Sequence, residues 1–149
     1  MSDTTPPAIV SARLLPFPRS EVFAAFRDPA RLAEWWGPAG FTNTVHEFDL
    51  RPGGRFHITL HGPDGSNYEN EKEFIEVVEP ERVSFRHYQP MHHFTMTLTW
   101  DEEADGTRLT WVMAFEPAEA GEKIREFILK ANEENFDRLE NHLNLKTTP

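Results

Sequence analysis

Two histidines stand out first in the 149-residue chain. His87 follows Val83 and Phe85 at alternate positions of a strand-like segment, so its imidazole is expected beside apolar groups. There it would donate or accept a hydrogen bond, or move a proton. His46 shares the parity of Phe48 and Leu50 and is a second candidate for that role. The competing reading for each is a strand-end imidazole bonded to water or backbone. The other histidines do not suggest a metal. His57 and His61 share a strand face pointing outward, roughly 13 Å apart, too far for one ion bound at about 2 Å. His87, His92 and His93 surround a Gln-Pro-Met turn, with no cysteine or matched carboxylate among them. No metal and no cofactor is expected.

Three carboxylates, Glu69, Glu71 and Glu73, alternate along another strand. Burying all three would be costly, so a solvated face is expected, and one turned inward would be a general-base candidate. Trp35 and Trp36 are adjacent and cannot share a helix face. One is expected in the core and the other at a pocket mouth, where an indole can stack on a flat ligand. Asn132 and Asn135 lie beside the apolar stripe of the last helix. Asn135 falls two turns after Ile128 and should face the sheet, tying helix to sheet or meeting a ligand. No Ser-His-Asp order, phosphate loop or dinucleotide fingerprint is present.

The elements that must hold these groups follow from periodicity. Residues 1–7 read as a loose tail, 8–146 as one domain and 147–149 as a tail. A first strand, AIVSARLL, ends at Pro16 and Pro18. Ser20 can cap a short helix carrying Val22, Phe23 and Phe26, and Asp28 with Pro29 starts another. From Thr42 to Phe115 the period becomes two, with turns at RPGG, GPDGS, EPER and DEEADG, as in an antiparallel meander. Phe56, Ile58 and Leu60 should face inward, as should Val83, Phe85 and His87. So should Phe94, Met96, Leu98 and Trp100, and Leu109, Trp111, Met113 and Phe115. The strand around Phe74 has apolar residues on both parities and stays ambiguous. After Pro117 one long helix is expected to about Leu145, with a stripe of Ile124, Phe127, Ile128, Ala131, Phe136, Leu139 and Leu143. The fold class is α+β: a curved antiparallel sheet of six or seven strands, two short helices and one long C-terminal helix. One helix cannot cover such a sheet, so an apolar pocket is expected between them.

Composition narrows the partners. The chain has no cysteine, which removes disulfides and thiolate chemistry, and a formal net charge of −10. That charge disfavours nucleic acid and anionic membrane. No apolar run approaches the roughly 20 residues that span a bilayer. The N-terminus has no signal-peptide pattern, and a cytoplasmic location is expected.

The pieces DPARLAEWWGP, FDLRPGGRF, LHGPDG, EVVEPERVSF, GTRLTWVMAFE and KANEENFDRLENHL occur in this order from about Ile9 to Leu145. In this set and in its element order the chain resembles the START-like, or Bet v 1-like (SRPBCC), superfamily. More specifically, it resembles the small stand-alone relatives of the C-terminal domain of the heat-shock protein 90 ATPase activator. The resemblance implies a helix-grip fold. Residues and resemblance together point to a protein that binds a hydrophobic or aromatic small molecule. The candidate lining comprises Trp35, Trp36, His46, Phe48, Phe56, Ile58, Phe85 and His87 on one side. Phe94, Met96, Leu98, Trp111, Met113, Ile128 and Asn135 complete it. The alternatives are a cyclase- or hydrolase-like enzyme using a pocket histidine or glutamate, and a stress-response interaction module with a chaperone partner. A homodimer is compatible with either.

Overall fold

The computed structural model describes residues 8–88 and 93–147. The two tails, apart from Thr147, and His92 lie outside the described residues. Seven strands form one antiparallel sheet: β1 (Ile9–Leu15), β2 (Thr42–Phe48), β3 (Arg55–His61), β4 (Asn67–Val78), β5 (Arg82–His87), β6 (His93–Glu103) and β7 (Gly106–Glu116). Their spatial order is β1-β7-β6-β5-β4-β3-β2, so the first strand closes onto the last and the rest is a meander. The helices are α1 (Arg19–Arg27), α2 (Pro29–Trp35), α3 (Ala118–Lys123) and α4 (Arg125–Thr147). This is the expected helix-grip arrangement.

The period-two segments bury the faces their alternation implied. Phe56, Ile58, Val83, Phe85, Met96, Leu98, Trp100, Leu109, Trp111, Met113 and Phe115 all lie in one core with Phe136, Leu139 and Leu143 of α4. Arg13 of β1 fastens α4 across the sheet edge, reaching Glu133 and Asp137 at 2.8 Å and Glu140 at 3.2 Å.

Three local expectations change. The first helix begins one residue before Ser20, with Pro18 at the N-cap and no side-chain cap. Proline fixes φ near the value a helix start needs, which makes the serine unnecessary. Asp28 does cap α2, accepting from the Ala30 N–H at 3.0 Å. The single long helix is interrupted at Ile124, which leaves helical geometry at φ −117° and ψ 16°. Gly121 in α3 sits against Phe115, where an added Cβ would come within 2.6 Å of the ring. Phe127 does not join the stripe and is 71 % exposed. It lies nine residues before Phe136, two and a half turns away, and so faces the opposite side of the helix.

Candidate functional site

The RPGG turn fixes the strand that matters most. Gly53 donates its N–H to the Phe74 carbonyl at 2.8 Å, and Phe74 donates back to the Gly54 carbonyl at 2.9 Å. At Gly54 the chain folds so tightly that a Cβ would lie 2.0 Å from the Asp49 carbonyl oxygen, so only glycine fits. Arg51 pins the turn through Asp49 at 2.7 Å. With Phe74 held in this way, alternation carries Lys72 and Asn70 onto the same inner face. Ile75 then points to solvent, and a bulge between Phe74 and Glu76 brings Val77 rather than Glu76 against the core, which explains the mixed parity of this strand.

Lys72 is therefore a buried lysine in the middle of the core, only 5 % exposed. Its Nζ lies 4.0 Å from the centre of the Phe56 ring, 5.7 Å from Phe85 and 5.8 Å from Trp36. It has no hydrogen-bond partner among the described residues. The ring faces attract the ammonium form by on the order of 1 kcal/mol each, whereas full burial of a charge costs several. Desolvation wins, and the Lys72 pKa falls from its usual 10.5 to about 7.

The amine faces a cavity of about 170 Å³. Strands β3 to β7 supply Leu60, Asn70, Phe85, His87, Phe94, Met96, Trp111 and Met113 to its wall. Helix α4 supplies Asn132 and Asn135, and the segment after α2 supplies Trp36, Gly37 and Pro38. None of these residues is a carboxylate. His87 sits directly opposite Lys72 in the β4–β5 register. It is 5 % exposed, stacks on Phe94 with ring centres 4.6 Å apart, and contacts Asn70 Oδ1 through Nε2 at 3.1 Å. A carbonyl oxygen only accepts, so His87 Nε2 carries a proton in this contact. Trp111 packs edge-on to Phe136, with centroids 4.7 Å apart, and its buried indole N–H also finds no partner among the described residues.

The asparagines of α4 differ in their bonding. Asn135 donates to the Trp35 carbonyl at 2.8 Å and accepts from the Gly37 N–H at 3.2 Å. It ties α4 to the end of α2 rather than to the sheet. Asn132 donates to Ser11 Oγ at 3.1 Å. Arg138 binds the carbonyls of Gly37 and Pro38 at 2.9 and 3.1 Å, which anchors the same segment again.

Of the expected lining, Trp36, Phe85, His87, Phe94, Met96, Trp111, Met113 and Asn135 meet at the cavity. Trp35, Phe56, Ile58, Leu98 and Ile128 are core residues outside its wall, and Trp35 donates its indole N–H to the Ala25 carbonyl at 3.0 Å. Phe48 is half-buried in an aromatic cluster with Phe26, Phe56 and Phe74. His46 requires correction: it is exposed and lies on the outer face. The β2–β3 register shifts between Val45 and Glu47, making His46 the extra residue of a bulge and reversing its parity. Lys72 was missed because the ambiguous parity of its strand hid the inner face. The two glycines fixing Phe74 were the available signal.

The bulge also builds a cluster that spacing within one strand could not suggest. His46, His57 and Glu69, from three adjacent strands, bring potential metal-ligating atoms within 4.8 Å of one another. Thr59 joins them, contacting His46 Nε2 at 2.7 Å and donating to Glu69 at 2.9 Å. That hydrogen bond lowers the Glu69 pKa, helped by the nearby imidazoles. Two imidazoles and a carboxylate suit zinc or a similar divalent ion. Thr59 already engages two of the three groups. Glu71 and Glu73 face outward with Glu69, as expected, and Glu71 pairs with Arg55 at 2.9 Å.

Residues 16–144 match the family model described as Activator of Hsp90 ATPase homolog 1-like protein. The fold matches a crystal structure of a Mycobacterium smegmatis protein at a TM-score of 0.83 and 27 % identity, covering 98 % of this chain and 96 % of that one. A Nitrosomonas europaea protein matches at 0.84 and 21 % identity, covering 94 % and 96 %. A Silicibacter pomeroyi protein named for the same family matches at 0.74 and 18 %, covering 94 % and 99 %. The last two likenesses speak to the fold alone. No curated protein matches the chain in sequence.

Proposed function

Since the chain belongs to the Activator of Hsp90 ATPase homolog 1-like family, within the START-like superfamily, we propose that it binds a small hydrophobic ligand carrying an oxygen acceptor. The observation that carries this reading is a pair of donors on residues lining one cavity, Lys72 Nζ and Trp111 Nε1, that find no partner among the described residues. A buried donor without an acceptor costs about 1–3 kcal/mol, and a ligand oxygen removes that cost. The rest of the wall is largely aromatic and thioether surface, which suits a ring.

Size sharpens the class. A cavity near 170 Å³ is close to the roughly 150 Å³ that holds a benzene ring and well below the usual range for drug-sized ligands. One ring with a short polar substituent fits; a sterol or long acyl chain does not. The interaction-module alternative has less support. Phe127 and Leu145, the most exposed large apolar residues, lie on one helix roughly 27 Å apart along its axis. They do not form one patch.

Trp36 and Trp111 report occupancy directly. Their fluorescence should change on titration with benzyl alcohol, and toluene should bind roughly tenfold more weakly because it leaves the donors unpaired. Equal affinities would remove the acceptor from the proposal. No response to either compound would remove the binding reading.

A further inference from the structure

Lys72 and His87 form a cross-strand pair on the inner face, placing an amine and an imidazole side by side at the wall of one cavity. Directly opposed residues hold their Cβ atoms about 5 Å apart, which brings both side chains within reach of one small molecule. We propose that Lys72 captures an aldehyde or ketone ligand covalently as an imine, with His87 delivering the proton that releases water. The inference rests on the small-ligand reading above and adds a reaction to it.

The site meets the requirements of imine formation one by one. The nucleophile must be a neutral amine, and burial without a carboxylate in the cavity wall favours that form of Lys72. The carbonyl must be held beside the amine, and Trp36, Phe85 and Phe94 offer flat apolar surface for an attached ring. A proton donor must serve the departing oxygen, and His87 is positioned by Phe94 on one face and Asn70 at Nε2. In the first step the Nζ lone pair attacks the carbonyl carbon. A C–N bond forms, and the C=O π pair moves to oxygen, which takes a proton as nitrogen loses one. In the second step the hydroxyl accepts a proton from His87 and leaves as water. The nitrogen lone pair then makes the C=N bond, and the remaining N–H proton passes back to the imidazole that gave one up. Amine plus carbonyl gives imine plus water, and no oxidant or reductant is needed.

The chain supplies its own controls. Lys123 and Lys130 are exposed on the surface and serve as internal references. Full-length protein is treated at pH 7 with limiting benzaldehyde and sodium cyanoborohydride, and the reduced adduct is located by peptide mass mapping. The expected result is one benzyl group on Lys72, formed at least roughly tenfold faster than on Lys123 or Lys130. His87→Gln should slow the adduct roughly tenfold or more when the rates are compared at equal occupancy of the cavity. Lys72→Met should abolish the fast adduct. Labelling spread evenly over the lysines overturns the proposal, and the wild-type chain alone decides this even where a variant misfolds. If benzyl alcohol binds and benzaldehyde leaves no adduct on Lys72, the covalent step is wrong and the binding reading stands. If neither compound perturbs the tryptophans, the binding reading fails first.

Discussion

Phe74 and Lys72 leave the same strand in the same direction, two residues apart, and enter opposite surroundings. Phe74 stacks on Phe56 with ring centres 5.5 Å apart and planes 9° apart, and meets Phe48 and Phe85 edge-on. Every group around it is satisfied by dispersion and burial alone. Lys72 shares Phe56 as a neighbour, yet its amine has nothing to bond among the described residues. The inner face thus divides into a packed aromatic half beneath the short helices and a half where polar atoms interrupt apolar walls under α4. The first half holds the fold together. The second gives up stability for a place where chemistry or recognition can occur.

The strongest test of this division removes a ring from the packed half. Phe56→Ala should cost roughly 3–5 kcal/mol in denaturant unfolding, because Phe56 is completely buried and touches rings on several sides. A loss below about 1 kcal/mol would mean that the two halves are equally loose.

Lys72→Met should act in the opposite direction, stabilising the chain at pH 7 by on the order of 2 kcal/mol. The pH dependence gives the same contrast with a definite sign. Lys72 has a folded pKa of about 7 against an ordinary 10.5, so within that window the unfolded chain holds a proton the folded chain has lost. Stability should therefore rise from about pH 7 towards pH 10.5, by on the order of 1 kcal/mol per unit. The methionine variant should lack that rise. An unchanged slope in Lys72→Met would assign the effect to another group.

Asn135→Ala should cost about 1.5 kcal/mol, since the Trp35 carbonyl and the Gly37 N–H both lose their partner. It should also weaken benzyl alcohol binding, because the segment Trp36–Pro38 is part of the cavity wall. Stability lost with affinity intact would show that the wall does not depend on this tie. The smallest effect is expected at His46, on the outer face. His46→Ala should leave benzyl alcohol affinity unchanged. A drop in affinity would mean that His46 reaches the cavity rather than the outer face.

Much of the fold was legible in the residues themselves. Clean alternation in HFTMTLTW and TRLTWVMAF fixed which faces were buried, because a period of two leaves each side chain only one choice of face. The same rule put His87 and Phe94 on the inner face, and the β5–β6 register then set them side by side. It failed at His46 and around Phe74 for one physical reason: a bulge adds a residue, and one residue reverses every parity beyond it. Bulges form between strands, so neither strand's own sequence marks them. The helix stripe wrongly took in Phe127: its half-turn offset from Phe136 can be counted in the sequence, whereas the interruption at Ile124 appears only in the folded chain.

The sequence by itself determined the order of elements, the family and the apolar character of the inner face, since those depend on local spacing and on composition. Only the tertiary structure decided that Lys72 lies among aromatic rings and that His87 is its cross-strand partner. It alone brought His46, His57 and Glu69 together from three strands. Those relations belong to register and to burial. A lysine's ordinary basicity is a property of the residue in water, and its loss at position 72 is a property of what the rest of the chain removes from around it.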